Sequence, residues 1–330
     1  MKIVTDSQIP GLAEGIASAR PEYEVVALKG QDIRPEHVAE ADALIVRTRT
    51  KCNAELLSGS NVKLIGTATI GTDHIDIPWC ESHGIRVVSA PGCNAPAVMQ
   101  YVAASLQKAG FDPSRDTLGV VGKGHIGSLV TDLYRKAGVK VLVCDPPRKE
   151  AGFRDEDYIS LNQLLTESDA VTFHVPYTEA GPYLTRHLLS GPLPERPRIL
   201  VNASRGEVAD SELILRESKR RKFIIDTWAF EDHPEEWSPE ERRRLIDAAF
   251  IATPHIAGYS IEGKRRATLA MLAALGIDTA EDYAVAGIGA LTLEDAAESF
   301  DPTELSRSLK ASPRDFEQLR GAHLRPEPKM

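Results

Sequence analysis

The sequence predicts an α/β protein of two parallel-sheet domains, one inserted into the other, followed by a short C-terminal segment. Three observations carry that expectation. Short β-branched runs alternate with helix-spaced segments along most of the 330 residues, which implies parallel strands joined by right-handed helical crossovers. Several runs are almost wholly apolar, as in Leu118-Gly-Val-Val and Val139-Lys-Val-Leu-Val, the pattern of strands buried on both faces. The length also suits two domains of about 100–200 residues each.

In chain order the strand candidates are Lys2–Thr5, Glu24–Ala27, Ala43–Val46, Lys63–Thr67, Arg86–Ser89, Gly119–Val121, Lys140–Cys144, Ala170–Phe173, Ile199–Asn202, Phe223–Asp226 and Phe250–Thr253. Helical spacing falls at Ala97–Lys108, Ile126–Lys136, Ser211–Lys219 and Ile261–Leu275. The turn-rich stretch Ser89-Ala-Pro-Gly-Cys-Asn-Ala-Pro96 leads into the first long helix, with Asn94 as its expected N-cap. A second break, Thr253-Pro-His-Ile-Ala-Gly-Tyr259, precedes the last strong helix. Residues 95–257 therefore read as a central domain inserted into a first domain made of residues 1–94 and 258–275. Residues 276–330 remain as a weakly patterned C-terminal segment.

Composition narrows the function. With 42% hydrophobic and 26% charged residues the chain is of ordinary globular type. Its net charge of -9 disfavours nucleic acid or an anionic membrane as partner. An acidic protein that takes an anionic ligand must concentrate its positive charge locally. The four cysteines (Cys52, Cys80, Cys93 and Cys144) are widely spaced with no CxxC pair, so neither a metal nor a disulfide framework is expected, and a reducing cytoplasm is. No apolar run approaches the about 18 residues of a membrane span.

Gly119-Val-Val-Gly122-Lys-Gly124-His125-Ile126-Gly127 carries GxGxxG where a predicted strand meets a predicted helix. Gly122 permits the tight turn, Gly124 lets the backbone approach a pyrophosphate, and Gly127 allows close helix–strand packing. The helix N-terminus, where His125 and Ile126 sit, favours the phosphates. The next strand ends at Asp145, 18 residues beyond Gly127. A carboxylate there accepts from ribose hydroxyls and repels a 2′-phosphate, so NAD is expected over NADP, with Arg148 softening the preference. The reading is a Rossmann-like domain in which the cation of Lys123 can still face the phosphates.

Arg205, Glu231 and His255 follow, each near the end of a predicted strand. A nicotinamide enzyme that oxidises a hydroxy acid needs a base for the hydroxyl proton, an acid that orients the base, and a cation for the carboxylate. Taken singly, each residue also reads as a packed histidine, a solvated glutamate or a surface arginine.

Together with Asp42-Ala-Leu-Ile-Val-Arg-Thr48, Gly66-Thr-Ala-Thr-Ile-Gly-Thr-Asp-His74, Ala90-Pro-Gly-Cys-Asn-Ala95, Cys144-Asp-Pro-Pro-Arg148 and His255-Ile-Ala-Gly-Tyr259, these segments carry a resemblance. The chain resembles the D-isomer-specific 2-hydroxyacid dehydrogenases, and within them the erythronate-4-phosphate dehydrogenase family. The resemblance implies NAD-dependent oxidation of 4-phospho-D-erythronate to 3-hydroxy-2-oxo-4-phosphobutanoate in the synthesis of pyridoxal 5′-phosphate. It implies that residues 1–94 and 258–275 form a substrate domain and residues 95–257 an NAD-binding domain.

The resemblance gives Arg205 the substrate carboxylate, His255 the acid–base role and Glu231 the part of its partner. Thr48, Thr69 and Tyr259 match substrate contacts. Asp145, Val175, Ala203, Ser204, Arg205, Asp226 and Gly258 match cofactor contacts. Ser312–Arg320 is similar to the end of the family's dimerisation domain, so a homodimer is expected, and Asp232 stands where the family has proline. Beside Thr48, Arg47-Thr-Arg-Thr-Lys51 places three cations within five residues, which reads either as a phosphate site or as a solvated strand edge. Two other functions stay open: another D-2-hydroxy acid such as 3-phosphoglycerate as substrate, or a catalytically silent NAD-binding regulator of the same fold.

Overall fold

In the computed structural model every residue is described except Asp232, Ala280, Asp282 and Ala286, so the proline-replacing Asp232 lies outside the described residues. The chain divides into two units, Met1–Asn94 with Ser260–Val285, and Ala95–Tyr259 with Ala286–Met330.

The first unit is built on a parallel sheet of β1 (Lys2–Asp6), β2 (Glu24–Leu28), β3 (Ala43–Val46), β4 (Leu64–Thr67) and β5 (Arg86–Val88), in the order β2-β1-β3-β4-β5. Successive strand residues point to opposite faces, and the core divides accordingly. Ile3 and Ile45 pack with Leu12, Ile16 and Met271 on one side, while Val4, Leu44 and Val46 pack with Leu56, Leu57 and Cys80 on the other. Gly66 lets helix Ile261–Ala274 lie close to the sheet. A Cβ there would stand 2.7 Å from Ile45 Cδ1 and 2.8 Å from Met271 Sδ.

The second unit holds a six-stranded parallel sheet of β6 (Thr117–Val121), β7 (Lys140–Cys144), β8 (Ala170–Phe173), β9 (Ile199–Asn202), β10 (Lys222–Ile225) and β11 (Ile251–Ala252), ordered β11-β10-β9-β8-β6-β7. The chain runs from β6 outward to β7 and then crosses back to β8 on the other side of β6. That reversal falls between β6 and β8, and open α/β sheets bind their ligands at the carboxyl ends of strands at such a point. The two-residue β11 is shorter than the four-residue run Phe250–Thr253 suggested, although Phe250 and Thr253 still donate their N–H groups to Phe223 O at 2.7 Å and Ile225 O at 3.0 Å.

Two expectations change. Asn94 does not cap helix Ala95–Lys108 as anticipated: its Oδ1 is buried with no hydrogen-bond partner. Pro96, in the first turn, has no N–H to offer a capping side chain. The sequence also set residues 276–330 apart, whereas Ser260–Val285 counts with the first unit and Ala286–Met330 with the second. Within the second unit, helix Leu293–Glu298 packs on Ala95–Lys108 and helix Thr303–Ala311 covers β11. Ser306 Oγ there accepts from the Ala252 N–H at 2.9 Å and closes the sheet edge. These helices are short and bury only one or two residues each (Ala296 and Ala297, Ser306 and Leu309, Phe316). So brief a pattern is hard to read from spacing alone.

The glycine turn after β6 depends on missing side chains. Gly122 has φ +88°, and a Cβ on it would meet His174 O at 2.3 Å. A Cβ on Gly127 would stand 1.9 Å from Gly122 O. Neither neighbour is a movable side-chain tip, so Gly127→Ala should cost about 1–3 kcal/mol and lower the urea midpoint of unfolding. An unchanged midpoint would show that the turn is not as tight as described.

Candidate active site

The carboxyl ends of the second unit's strands gather most of the residues singled out from sequence. Gly122, Gly124 and Gly127 lie after β6 and Asp145 after β7. Val175 follows β8, Ala203, Ser204 and Arg205 follow β9, Asp226 and Glu231 follow β10, and His255 and Gly258 follow β11. Thr48, Thr69 and Arg47 belong to the first unit, at the ends of β3 and β4.

The glycine turn fits a dinucleotide. Helix His125–Lys136 begins at Gly124 with no side-chain cap, so its first N–H groups are left for an anion. A Cβ on Gly124 would have nothing within 4 Å, which is the clearance a pyrophosphate needs. Asp145 is held at the next strand end by the N–H groups of Lys123 (2.7 Å) and Arg148 (3.1 Å). Each of its oxygens retains acceptor capacity for a ribose hydroxyl.

The cations expected nearby are occupied elsewhere. Buried Lys123 turns its ammonium to Asp155 at 3.0 Å and to Glu156, so it does not face the phosphates as anticipated. Arg148 bonds Tyr158 Oη and Asp155, each at 3.0 Å, and stacks over Phe153. Both cations are drawn off by an acidic cluster that sequence spacing did not reveal.

Glu231 and His255 form the centre of the arrangement. His255 Nδ1 meets Glu231 Oε2 at 2.7 Å, and Glu231 Oε1 accepts from the Trp228 N–H at 2.8 Å. Burial opposes charge on the imidazole, but the Glu231 carboxylate, by charge and hydrogen bond, and then Asp226 hold the His255 pKa above its ordinary value; Arg320 pulls the other way. Burial would likewise raise Glu231, but His255, the Trp228 N–H and Arg320 hold it below the usual carboxylate value. With Nδ1 directed at the carboxylate, Nε2 has no hydrogen-bond partner among the described residues, and the side chain is 40% exposed.

His255 sits at φ +55°, in the left-handed region that side chains disfavour. Asp226 holds it there. The Asp226 carbonyl accepts from the His255 N–H at 2.8 Å. Its carboxylate accepts from Ile256 N at 2.8 Å, Ala257 N at 2.9 Å and the Thr253 hydroxyl at 2.6 Å. Tyr101 Oη lies 2.7 Å from Thr253 Oγ1 and completes the chain. Trp228 also donates Nε1 to Thr253 O at 2.8 Å.

The Arg205 loop is braced against the same region. Asn202 Nδ2 donates to Arg205 O at 2.8 Å, and Arg205 Nη1 donates to Ser204 O at 2.9 Å. Gly206 lies so close that a Cβ would stand 2.0 Å from the Trp228 carbonyl carbon. His174, at the end of β8, is a structural residue: burial pushes its pKa down to about 3, and its Nε2 meets Thr172 Oγ1 at 3.0 Å.

In the first unit, burial pushes the His74 pKa down, and its Nε2 meets Thr67 Oγ1 at 3.1 Å. Thr67 Oγ1 meets Thr69 Oγ1 at 2.6 Å, and Thr69 donates to Gly71 O at 3.0 Å. Satisfying each donor in turn assigns the direction from His74 to Gly71, which leaves Thr69 Oγ1 an open lone pair for an incoming hydroxyl. Thr48 is exposed and Arg47 partly so. Tyr259, partly exposed, has its N–H on Ile256 O at 2.9 Å.

Among the described residues no cluster of His, Cys, Asp and Glu could hold a metal, and no helix is long and apolar enough to cross a membrane. Two arginines near the chain end, Arg320 and Arg325, also touch the Glu231 and His255 region. Arg320 closes a segment the sequence did single out, Ser312–Arg320; no sequence signal marked Arg325.

Comparisons with known proteins give the family and the fold. The family model of the D-isomer specific 2-hydroxyacid dehydrogenase NAD binding domain matches residues 97–257. An erythronate-4-phosphate dehydrogenase of Bacteroides fragilis is 40% identical, with 97% of this chain and 95% of that protein covered. One from Porphyromonas gingivalis is 38% identical, with 99% and 93% covered. Among solved structures, a cofactor-bound (NAD+) 3-phosphoglycerate dehydrogenase of Entamoeba histolytica superposes with TM-score 0.63 at 25% identity, covering 84% of this chain and 93% of that one. A D-lactate dehydrogenase of Aquifex aeolicus, complexed with NAD and lactic acid, gives 0.65 at 24% identity, covering 83% and 94%.

The charged pair makes stability depend on pH. Because the folded His255 pKa is raised, its contribution is complete below about pH 6.5 and is lost as pH climbs through the folded value. The Glu231 contribution, from a lowered pKa, is lost only on acidification. The stability advantage of the wild type over His255→Gln, measured by urea unfolding, should therefore shrink from pH 6 to pH 9. An advantage that does not vary across that range would contradict the pairing.

Proposed function

The chain belongs to the erythronate-4-phosphate dehydrogenase family of D-isomer-specific 2-hydroxyacid dehydrogenases, and on that premise we propose that it oxidises 4-phospho-D-erythronate at C2 to 3-hydroxy-2-oxo-4-phosphobutanoate, in vitamin B6 biosynthesis. It is an NAD-dependent oxidoreductase acting on a CH–OH group. The observation that carries the catalytic reading is the 2.7 Å contact between Glu231 and His255, which aims Nδ1 at the carboxylate and leaves Nε2 for substrate.

NAD, when bound, supplies the acceptor for the hydride that leaves C2. His255 Nε2 takes the C2 hydroxyl proton as the carbonyl forms, and Glu231 stabilises the resulting imidazolium. The guanidinium of Arg205 pairs with the substrate carboxylate. The Gly122, Gly124 and Gly127 turn, with the His125 and Ile126 amides, would receive the pyrophosphate, and Asp145 the adenosine ribose. Val175, Ala203, Ser204 and Gly258 would line the cofactor, and Asp226 acts by holding the His255 turn.

On the substrate side we assign Thr48, Thr69, Tyr259 and Arg47, the last to the 4-phosphate. Support for Arg47 comes from Lys264, whose pKa is lowered by burial and by the neighbouring Arg47 charge. Two cations held together favour an anion between them. Cytoplasmic residence and a homodimer complete the reading. The first is supported by four buried cysteines outside any disulfide, the second by the likeness of Ser312–Arg320 to the family's dimerisation domain.

Two variants test the assignment with 4-phospho-D-erythronate and NAD. His255→Ala should lower kcat about 10²–10⁴-fold while NAD affinity, read by protein fluorescence, is retained. Full activity in that variant would refute the base. Arg47→Ala should raise KM for the phosphorylated substrate and leave kcat close to wild type; an unaltered KM would remove Arg47 from the phosphate site.

A further inference from the structure

The last helix of the chain reaches the proton-transfer pair. Arg320, on helix Phe316–Ala322, directs Nη1 to Glu231 Oε2 at 3.3 Å, and this is the oxygen that holds His255 Nδ1 at 2.7 Å. Its Nη2 bonds Glu317 Oε2 at 2.6 Å, and its side chain is 18% exposed. The Phe316 ring packs edge-on to Phe230, the neighbour of Glu231 in sequence, at 5.7 Å between centroids.

The backbone beyond is pinned as well. Buried Arg325 donates to the carbonyls of Ile256 at 2.8 Å, Ala257 at 2.6 Å and Ala97 at 2.8 Å, and to Gln100 Oε1 at 2.7 Å. The guanidinium that reaches Glu231 and the one that bonds the carbonyls of the His255 turn therefore come from a single short stretch of chain.

We propose that Arg320 is a positioning residue for the oxidation: it shares the Glu231 carboxylate with His255, fixes that carboxylate's orientation and weakens its hold on the imidazole proton. This rests on His255 being the base, as proposed above. A carboxylate paired with histidine alone stabilises imidazolium, and imidazolium cannot accept the hydroxyl proton. A cation on the same oxygen offsets part of that pull. The charged groups that face His255 are Glu231 and Asp226, which favour its proton, and Arg320, which opposes it. Those in direct contact with Arg320 are Glu231 and Glu317.

The test compares Arg320→Gln, Arg320→Lys and Glu317→Gln by the pH dependence of kcat/KM in the oxidative direction. The His255 titration is followed by NMR without substrate, its signal assigned by its loss in His255→Gln. In Arg320→Gln the acid limb and the His255 titration should both move up by about half a unit to one unit, and Arg320→Lys should restore most of the shift. Glu317→Gln removes the competing negative charge from the guanidinium and should move both downward. This exposed substitution keeps the test intact if Arg320→Gln does not fold.

An unmoved limb and titration in Arg320→Gln and in Glu317→Gln, or equal rate losses at every pH in Arg320→Gln and Arg320→Lys, would overturn the proposal. Full activity in His255→Gln would instead overturn the base assignment on which it rests.

Discussion

Asp226 sits buried at the end of β10, and its carboxylate accepts from Ile256 N, Ala257 N and the Thr253 hydroxyl. Those bonds hold a turn that the chain would not otherwise keep, because His255 occupies a left-handed conformation. Burial pushes the Asp226 carboxyl up, while the His255 charge and the three hydrogen bonds pull it back. Only with the turn fixed does Nδ1 of His255 lie against Glu231, and only then does the opposite ring nitrogen remain for chemistry. Arg325 serves the same turn from below by taking its carbonyls, although burial of the guanidinium lowers its pKa to about 10. The donors and acceptors of one short loop are thus satisfied by two buried charged side chains from distant parts of the chain.

The fold was largely legible because buried parallel strands are simple in sequence. β3, β7, β8 and β9 fall where their apolar runs place them, and the GxGxxG context located the turn after β6. Three polar residues near strand ends, Arg205, Glu231 and His255, were legible for a related reason: parallel sheets present their working groups at that edge. What escaped was whatever depended on long-range pairing. The counter-ions of Lys123 lie 32 and 33 residues away, and Arg320 stands 89 residues from Glu231. No local pattern encodes such partners. Asn94 shows the converse, a capping residue whose expected donor is removed by Pro96.

The short tail changes its meaning once its contacts are known. From sequence it looked like the remnant of an assembly module. In the structure it covers the β11 edge through Ser306, packs on helix Ala95–Lys108 and brings Arg320 to Glu231 and Arg325 to the His255 turn.

Substrate choice tests the central claim most directly. NADH formation would be followed with the purified protein, NAD and 4-phospho-D-erythronate, with 3-phosphoglycerate and glycerate in parallel and a 2-keto acid tried as electron acceptor. Turnover on the phosphorylated four-carbon acid, with kcat/KM far above that for the other two, is the expected result. Preference for 3-phosphoglycerate would retain the Glu231–His255 chemistry and contradict the substrate. NAD binding without turnover on any of the three acids would contradict the catalytic reading itself.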